Sequence, residues 1–266
     1  MQQAEDFRAE CDCLAEVIAE QTEDIFQRTT LFNSWTINDI IGHLHMFNVA
    51  ARLTLENDQK FADFFAPVAA DLKQGRSMRE AQYVWLNGLE GRPLFDAWRE
   101  GCQATADLYA LTDPRQRIKW AGPDMSARSS ITARQMETWA HGQEVFDCLG
   151  MVRPDTDRIK NIAHLGVQTF GWTFINRQLP VPEPVPHVVL TAPSGAVWTW
   201  NEPQEDNQIS GKAVEFGQVV TQTRNVADTS LVASGDIAAQ WMAIAQCFAG
   251  APIDPPAPGQ RFMVAG

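Results

Sequence analysis

The apolar positions of the chain keep a helical period through its first half and lose it in the second. From Ala4 to Arg28 the residues Phe7, Cys11, Leu14, Val17, Ile18 and Ile25 recur at helical spacing with acidic residues on the other faces, which predicts an amphipathic helix. After a polar break at Thr29 to Ser34, the run SWTINDIIGHLHMFNVAARLTLEN resumes the period. Ser34 or Thr36 can cap it, Asp39 falls in its first turn, and Ile37, Ile40, Ile41, Leu44, Ala51 and Leu55 form one stripe. The more polar stretch from Asp58 to Gln82 predicts an irregular or helical connection broken at Gly75. A third long helix starts at Ser77 or Pro93 and stops at Leu111, before Asp113-Pro114. Ile118 to Ser130 reads as a loop, and Arg134 to Leu149, RQMETWAHGQEVFDCL, as a fourth helix that Gly150 ends.

Beyond the linker VRPDTD the texture changes. Arg158 to Asn176 reads as another amphipathic helix, followed by the extended connector LPVPEPVP. HVVLTA and AVWTWN read as strands joined by a turn at Pro193-Ser194-Gly195. A helical stretch from Ala213 to Arg224, a short strand LVASG, a closing helix from Ile237 to Ala249 and a proline-rich tail complete the chain. The expected class is α+β with two domains: a four-helix bundle over residues 1–152, and a small α+β domain with an antiparallel sheet over 153–266 that closes over the bundle. The length of 266 residues fits two domains at roughly 100 to 200 residues each.

Net charge is −12, which argues against nucleic acid as a partner, since binding it needs a basic face. No apolar run approaches the roughly 18 residues of a membrane span. The start, MQQAEDFRAECDCLAEVI, lacks the basic and apolar regions of a signal peptide, so a cytoplasmic protein without membrane partners is expected. Five scattered cysteines fit reduced thiols better than a disulfide framework. Oligomeric state is not legible.

Candidate chemistry sits on the fourth helix. Glu137 and His141 are four residues apart and project from one face, which is how a helix presents two metal ligands. A third ligand from another helix would give two imidazoles and a carboxylate, leaving coordination positions open for water or substrate. His43 and His45 lie on opposite shoulders of the second helix's stripe, about 160° apart, and periodicity does not choose between them. A His-Glu-x-x-His motif, paired Glu-x-x-His motifs, a Gly-x-Ser-x-Gly elbow and a glycine-rich phosphate loop are all missing.

The pattern Trp35-Thr36-x-x-Asp39-x-x-x-His43-Leu44, followed by Arg134-x-x-Glu137-x-x-x-His141-Gly142, resembles the metal-binding domain of mycothiol-dependent maleylpyruvate isomerases, which belongs to the DinB-like four-helix bundles. The resemblance covers about residues 5 to 150, and METWAHGQEVFDCLG is its specific part. It places the metal ligands at His43, Glu137 and His141, with His45 a neighbour. It implies a divalent metal, zinc in the family, with nickel and iron left open, and a low-molecular-weight thiol activated as thiolate. The expected function is a metal-dependent, thiol-using isomerase or S-transferase acting on a small anionic electrophile. The alternatives are a non-catalytic metal- or ligand-binding module, and a metal-dependent hydrolase without a thiol. The second half resembles a branch of uncharacterised metal-binding proteins, and its tail resembles the small domain associated with wybutosine formation. The negative charge and the lack of a basic aromatic stripe speak against a tRNA role.

Arg134, one turn before Glu137, can orient the ligand carboxylate or bind a carboxylate of the substrate. The isomerase resemblance calls for an arginine in the second half, which points to Arg224 as a substrate-carboxylate anchor. Asp39 caps its helix or holds the second nitrogen of His43, with capping preferred. His164 reads as a satisfied core or interface histidine, His187 as exposed. Trp35, Trp139, Trp198 and Trp200 read as core aromatics, Trp139 with the sharper alternative of a wall above the metal.

Overall fold

The computed structural model describes residues 1–122 and 124–264. It divides into two compact units, Met1–Cys148 and Leu149–Gly266.

The first unit contains α1 (Gln2–Ala19), α2 (Ile37–Glu56), α3 (Asp58–Lys73), α4 (Met78–Leu86), α5 (Gly91–Leu111), a short hairpin of β1 (Arg117–Ile118) and β2 (Met125–Ser126), and α6 (Ala127–Leu149). The four long helices α1, α2, α5 and α6 are those of the expected four-helix bundle. The predicted first helix is shorter than expected: Glu20 to Asp24 offer no apolar residue to hold it on the core, and a 3₁₀ turn at Glu23–Gln27 returns Ile25 and Phe26 to the interior. The polar connection after α2 is two helices that meet at Gly75, which adopts φ +86.

Local chemistry explains where α2 begins. Thr36 accepts from the Asp39 amide at 3.1 Å, and the Asp39 carboxylate accepts from the Thr36 amide at 2.9 Å, a reciprocal cap that satisfies two otherwise orphaned donors. The predicted stripe is then fully buried at Ile37, Ile40, Ile41, Leu44 and Ala51. Across from it α5 buries Leu94, Trp98, Ala106 and Tyr109, and each large apolar side chain removed from water contributes about 1.5–3 kcal/mol before entropic costs. The Tyr109 hydroxyl reaches the Ala51 carbonyl at 3.0 Å and the Ser130 hydroxyl at 2.8 Å, tying α5 to α2 and α6.

In the second unit a 3₁₀ turn at Asp157–Ile159 leads into α7 (Lys160–Gln168) and α8 (Phe170–Asn176). The single helix expected here is broken at Thr169, whose hydroxyl donates back to the carbonyls of Leu165 (2.8 Å) and Gly166 (3.0 Å). Then come β3 (His187–Thr191), β4 (Val197–Trp200), β5 (Gln208–Lys212), α9 (Ala213–Val220), β6 (Val232–Ser234) and α10 (Asp236–Ile244). The sheet has the order β4-β3-β5-β6. The expected hairpin of β3 and β4 is antiparallel, but β5 pairs with β3 in parallel, so the sheet is mixed rather than purely antiparallel. The core of this unit gathers Phe170, Phe174, Phe216 and Trp241, whose rings pack edge to face or tilted. Among the described residues no helix is long and apolar enough to cross a membrane.

Candidate metal centre

The two helices that the sequence singled out meet at one point. His43 from α2 brings Nε2 to 3.5 Å from Glu137 Oε2, and His141 from α6 brings its own Nε2 to 3.4 Å from the same oxygen. The three candidate donor atoms all lie within 4.8 Å of one another. Ligand atoms about 2.0–2.1 Å from a tetrahedral ion stand about 3.3 Å apart, so both spacings match edges of such a polyhedron. The donor set of two imidazoles and one carboxylate therefore fits a divalent metal. The side chains are 13%, 25% and 12% exposed for His43, Glu137 and His141, so the cluster sits near the surface without being solvated.

Of the two histidines of α2, the helix rotation brings His43 to Glu137. His45 faces Trp85 on α4, 5.5 Å between ring centres, away from Glu137. Gly42, beside His43, lets α4 approach: a Cβ there would lie 2.7 Å from Gln82 Nε2 and 2.8 Å from Leu86 Cδ1. Gln82 uses that approach to donate to the Asp39 carbonyl at 2.8 Å.

The charges around the cluster oppose one another. Burial drives the His43 imidazole down to about 4, outweighing the pull of Glu137 in the other direction, so the ring is neutral and its nitrogen available. For Glu137 burial alone would push the carboxyl up. Hydrogen bonding with His141 and His43 and the charge of Arg134 win, and hold it well below the usual carboxylate range. The site thus presents a metal with an ionised carboxylate and a neutral imidazole.

Arg134 is 3% exposed, its guanidinium lying over the Phe47 ring at 5.5 Å with Nη2 3.9 Å from Glu137 Oε2. Its Nε and Nη1 are buried and find no acceptor among the described residues. Asp39 is a cap: besides Thr36 it takes the Tyr83 hydroxyl, and His43 Nδ1 has no partner among the described residues. Metal-bound histidines usually donate that second nitrogen to a carbonyl or carboxylate, so this site departs from the common pattern.

Rings surround the cluster more than the sequence suggested. Trp35 lies parallel to the His141 imidazole, 5.9 Å between centres and 4° between planes, and edge-on to His43 at 5.5 Å. Phe32 meets His141 at 5.1 Å and Phe47 meets His43 at 4.7 Å. Trp35 is therefore a site residue rather than a plain core aromatic, while Trp139 is 2% exposed and fits the core reading. The signal for Phe32 and Phe47 was available only in part: Phe47 follows His43 by one helical turn, but Phe32 lies in a loop whose path no periodicity fixes.

In the second unit Arg224 follows α9, with Nη1 donating to the Thr223 carbonyl at 2.8 Å. His164 is exposed, contrary to a core position, and its Nδ1 accepts from Trp200 Nε1 at 3.2 Å. The exposed indole edge of Trp200 on β4 supplies the partner that burial was expected to supply. His187 is half-buried rather than exposed, beside the Gln208 side chain at 3.3 Å.

Comparison with known proteins identifies a family. The family described as the mycothiol maleylpyruvate isomerase N-terminal domain matches residues 7–146, a span that contains the whole His43, Glu137 and His141 cluster. The chain belongs to that family. Among curated sequences, an uncharacterized protein of Mycobacterium tuberculosis, found in two strains, is 36% identical to this family member over 248 residues, covering 93% of this chain and 95% of the relative. Among solved structures, the mycothiol-dependent maleylpyruvate isomerase is similar with a TM-score of 0.52 and 15% identity. The match covers 82% of this chain and 87% of that one. A mutant of the isomerase matches equally well at 14% identity. At such identity the structural match speaks for the shared fold alone.

Proposed function

We propose that the protein is a metal-dependent enzyme that uses a low-molecular-weight thiol to isomerise, or to add sulfur to, a small anionic electrophile. The observation that carries this reading is the convergence of His43 Nε2 and His141 Nε2 on one oxygen of Glu137 at tetrahedral-edge spacing. Three protein ligands leave an open position, as catalytic sites require and closed structural sites do not. Membership of a family named for a mycothiol-dependent isomerase supports the thiol, and a small-molecule substrate with it.

A divalent metal, zinc by preference, would supply Lewis acidity that keeps a thiol as thiolate at neutral pH. The chain's own residues do the rest. His43, Glu137 and His141 would hold the ion, and Trp35, Phe32 and Phe47 pack against the imidazole rings and fix their planes. Sulfur forms a bond to the electrophilic carbon while the double-bond electron pair moves to the adjoining carbonyl oxygen. Rotation about the resulting single bond and reversal of the addition give the trans product and return the thiol. In S-transfer the new carbon–sulfur bond persists and a leaving group departs with the electron pair. Arg134 stabilises the ionised Glu137 and adds positive charge beside the site.

The test is elemental analysis of untagged protein beside His43→Ala, Glu137→Ala, His141→Ala and the control His45→Ala, followed by thiol-dependent cis-to-trans conversion of maleylpyruvate and, for S-transfer, thiol consumption with related electrophiles. One equivalent of metal in wild type and control, lost in the other three, is expected. Metal retained in those three would overturn the site.

A further inference from the structure

The rings around the candidate metal centre are held in ways that core packing does not require. Phe32 and Trp35 belong to a tight loop in which two successive residues other than glycine, Asn33 and Ser34, take left-handed backbone at φ +49 and +56. That conformation costs energy and persists where the surroundings enforce it: Thr30 donates to the Trp35 carbonyl and Trp35 to the Phe32 carbonyl, both at 2.8 Å. The outcome is two rings aimed at His141.

On the other flank Trp120 stands in the β1–β2 hairpin, and its loop is pinned twice. Thr54 on α2 donates to the Lys119 carbonyl at 2.6 Å, and Lys119 pairs with Asp124 at 2.7 Å across the loop. Trp120 stacks on Phe61 of α3, 5.6 Å and 20° between planes, and lies 6.3 Å from Phe47, which in turn meets His43. Phe32, Trp35, Phe47 and Trp120 are each partly exposed, unlike the sealed rings Trp98 and Tyr109 of the same bundle. Aromatic faces that stay open to solvent beside a candidate reactive centre suit a flat, unsaturated ligand better than a short aliphatic one.

We infer that this ring collar sets specificity. The electrophile carries, conjugated to its reacting carbon, an aryl ring or an extended planar system that lies on the faces of Phe47 and Trp120, with its charged end toward the metal side. The inference rests on the thiol-addition reading for the chemistry, but its binding test does not.

Two unsaturated carboxylates that differ only in the planar group, trans-cinnamate and crotonate, are titrated by calorimetry against the full-length protein with its metal. The expected result is at least tenfold tighter binding of cinnamate to wild type. Trp120→Ala should lose most of that gap with crotonate affinity unchanged within about twofold, and Trp120→Phe should keep it. Trp120→Leu, which retains bulk without an aromatic face, should behave as the alanine variant and guards against a fold defect. Equal affinity of the two acids for wild type, no binding of either, or a preference that survives in folded Trp120→Ala and Trp120→Leu would overturn the inference. Failure of the metal or thiol assays with the cinnamate preference intact would instead sink the proposed reaction and leave the collar.

Discussion

Arg134 Nη2 lies 3.9 Å from Glu137 Oε2, one helical turn away, a charge contact longer than a hydrogen bond. A buried guanidinium with two unsatisfied nitrogens is costly to keep, because the lost hydration is not fully replaced. Arg134→Met removes that cost, and in the metal-loaded protein, where the ion would balance the Glu137 carboxylate, thermal stability should stay within about 1 kcal/mol of wild type. Metal retention should fall, because the ionised Glu137 loses its supporting charge. Thermal melting with metal analysis of the same sample checks both halves, and a strongly destabilised variant would contradict the first.

With metal removed, the two histidines of α2 make stability depend on pH. Burial brings both His43 and His45 down to about 4 from an ordinary 6.5. Between those values the unfolded chain binds more protons than the folded one, so stability is full above pH 6.5 and is lost as pH falls toward 4. The loss for His43 alone is on the order of 3 kcal/mol. Urea titrations of the chelated protein from pH 7 to 4.5 should show the decline, and His45→Gln should remove part of it.

Asp39 offers a separation of fold from chemistry. Its carboxylate takes the Thr36 amide and the Tyr83 hydroxyl and does not serve His43. Asp39→Ala should cost about 1–3 kcal/mol, the sum of a lost cap and a partner left behind. Metal content should stay at the wild-type level. Loss of metal from a variant that remains folded would return Asp39 to the histidine.

In the second unit Gly166 admits α9 against α7. A Cβ there would lie 2.8 Å from Val220 Cγ2 and 3.0 Å from Phe216, a β-branched and an aromatic side chain in the core. Gly166→Ala should destabilise by about 1–3 kcal/mol through overpacking, despite the better helix propensity of alanine. A gain in melting temperature would show that these helices can part at no cost.

What the sequence yields and withholds follows from the range of each signal. The stripe of α2, the cap at Thr36 and the spacing of Glu137 and His141 are local, and all reappear in the fold. The rank of His43 over His45 is not local, because both flank the same stripe and only the positions of α4 and α6 distinguish them. Strand β5, QISGK, lacks the apolar alternation of a strand because only Ile209 is deeply buried, and its parallel pairing with β3 is a tertiary event. The rings at the site escape for the same reason: Trp120 and Phe47 are far apart in sequence and meet only once the hairpin is placed against α2 and α3.

The bundle also constrains the order in which the chain can consolidate. Arg8 on α1 bonds Asp107 on α5 across 99 residues, and α6, which carries two of the three converging donors, is the last helix of its unit. On a ribosome adding about 5–20 residues per second, the N-terminal helix waits roughly 5–20 seconds for its partner. The donors cannot meet before then. Ion capture would thus reward a completed bundle rather than nucleate one, and nascent chains would depend on holding α1 and α2 clear of competing partners until α5 and α6 emerge.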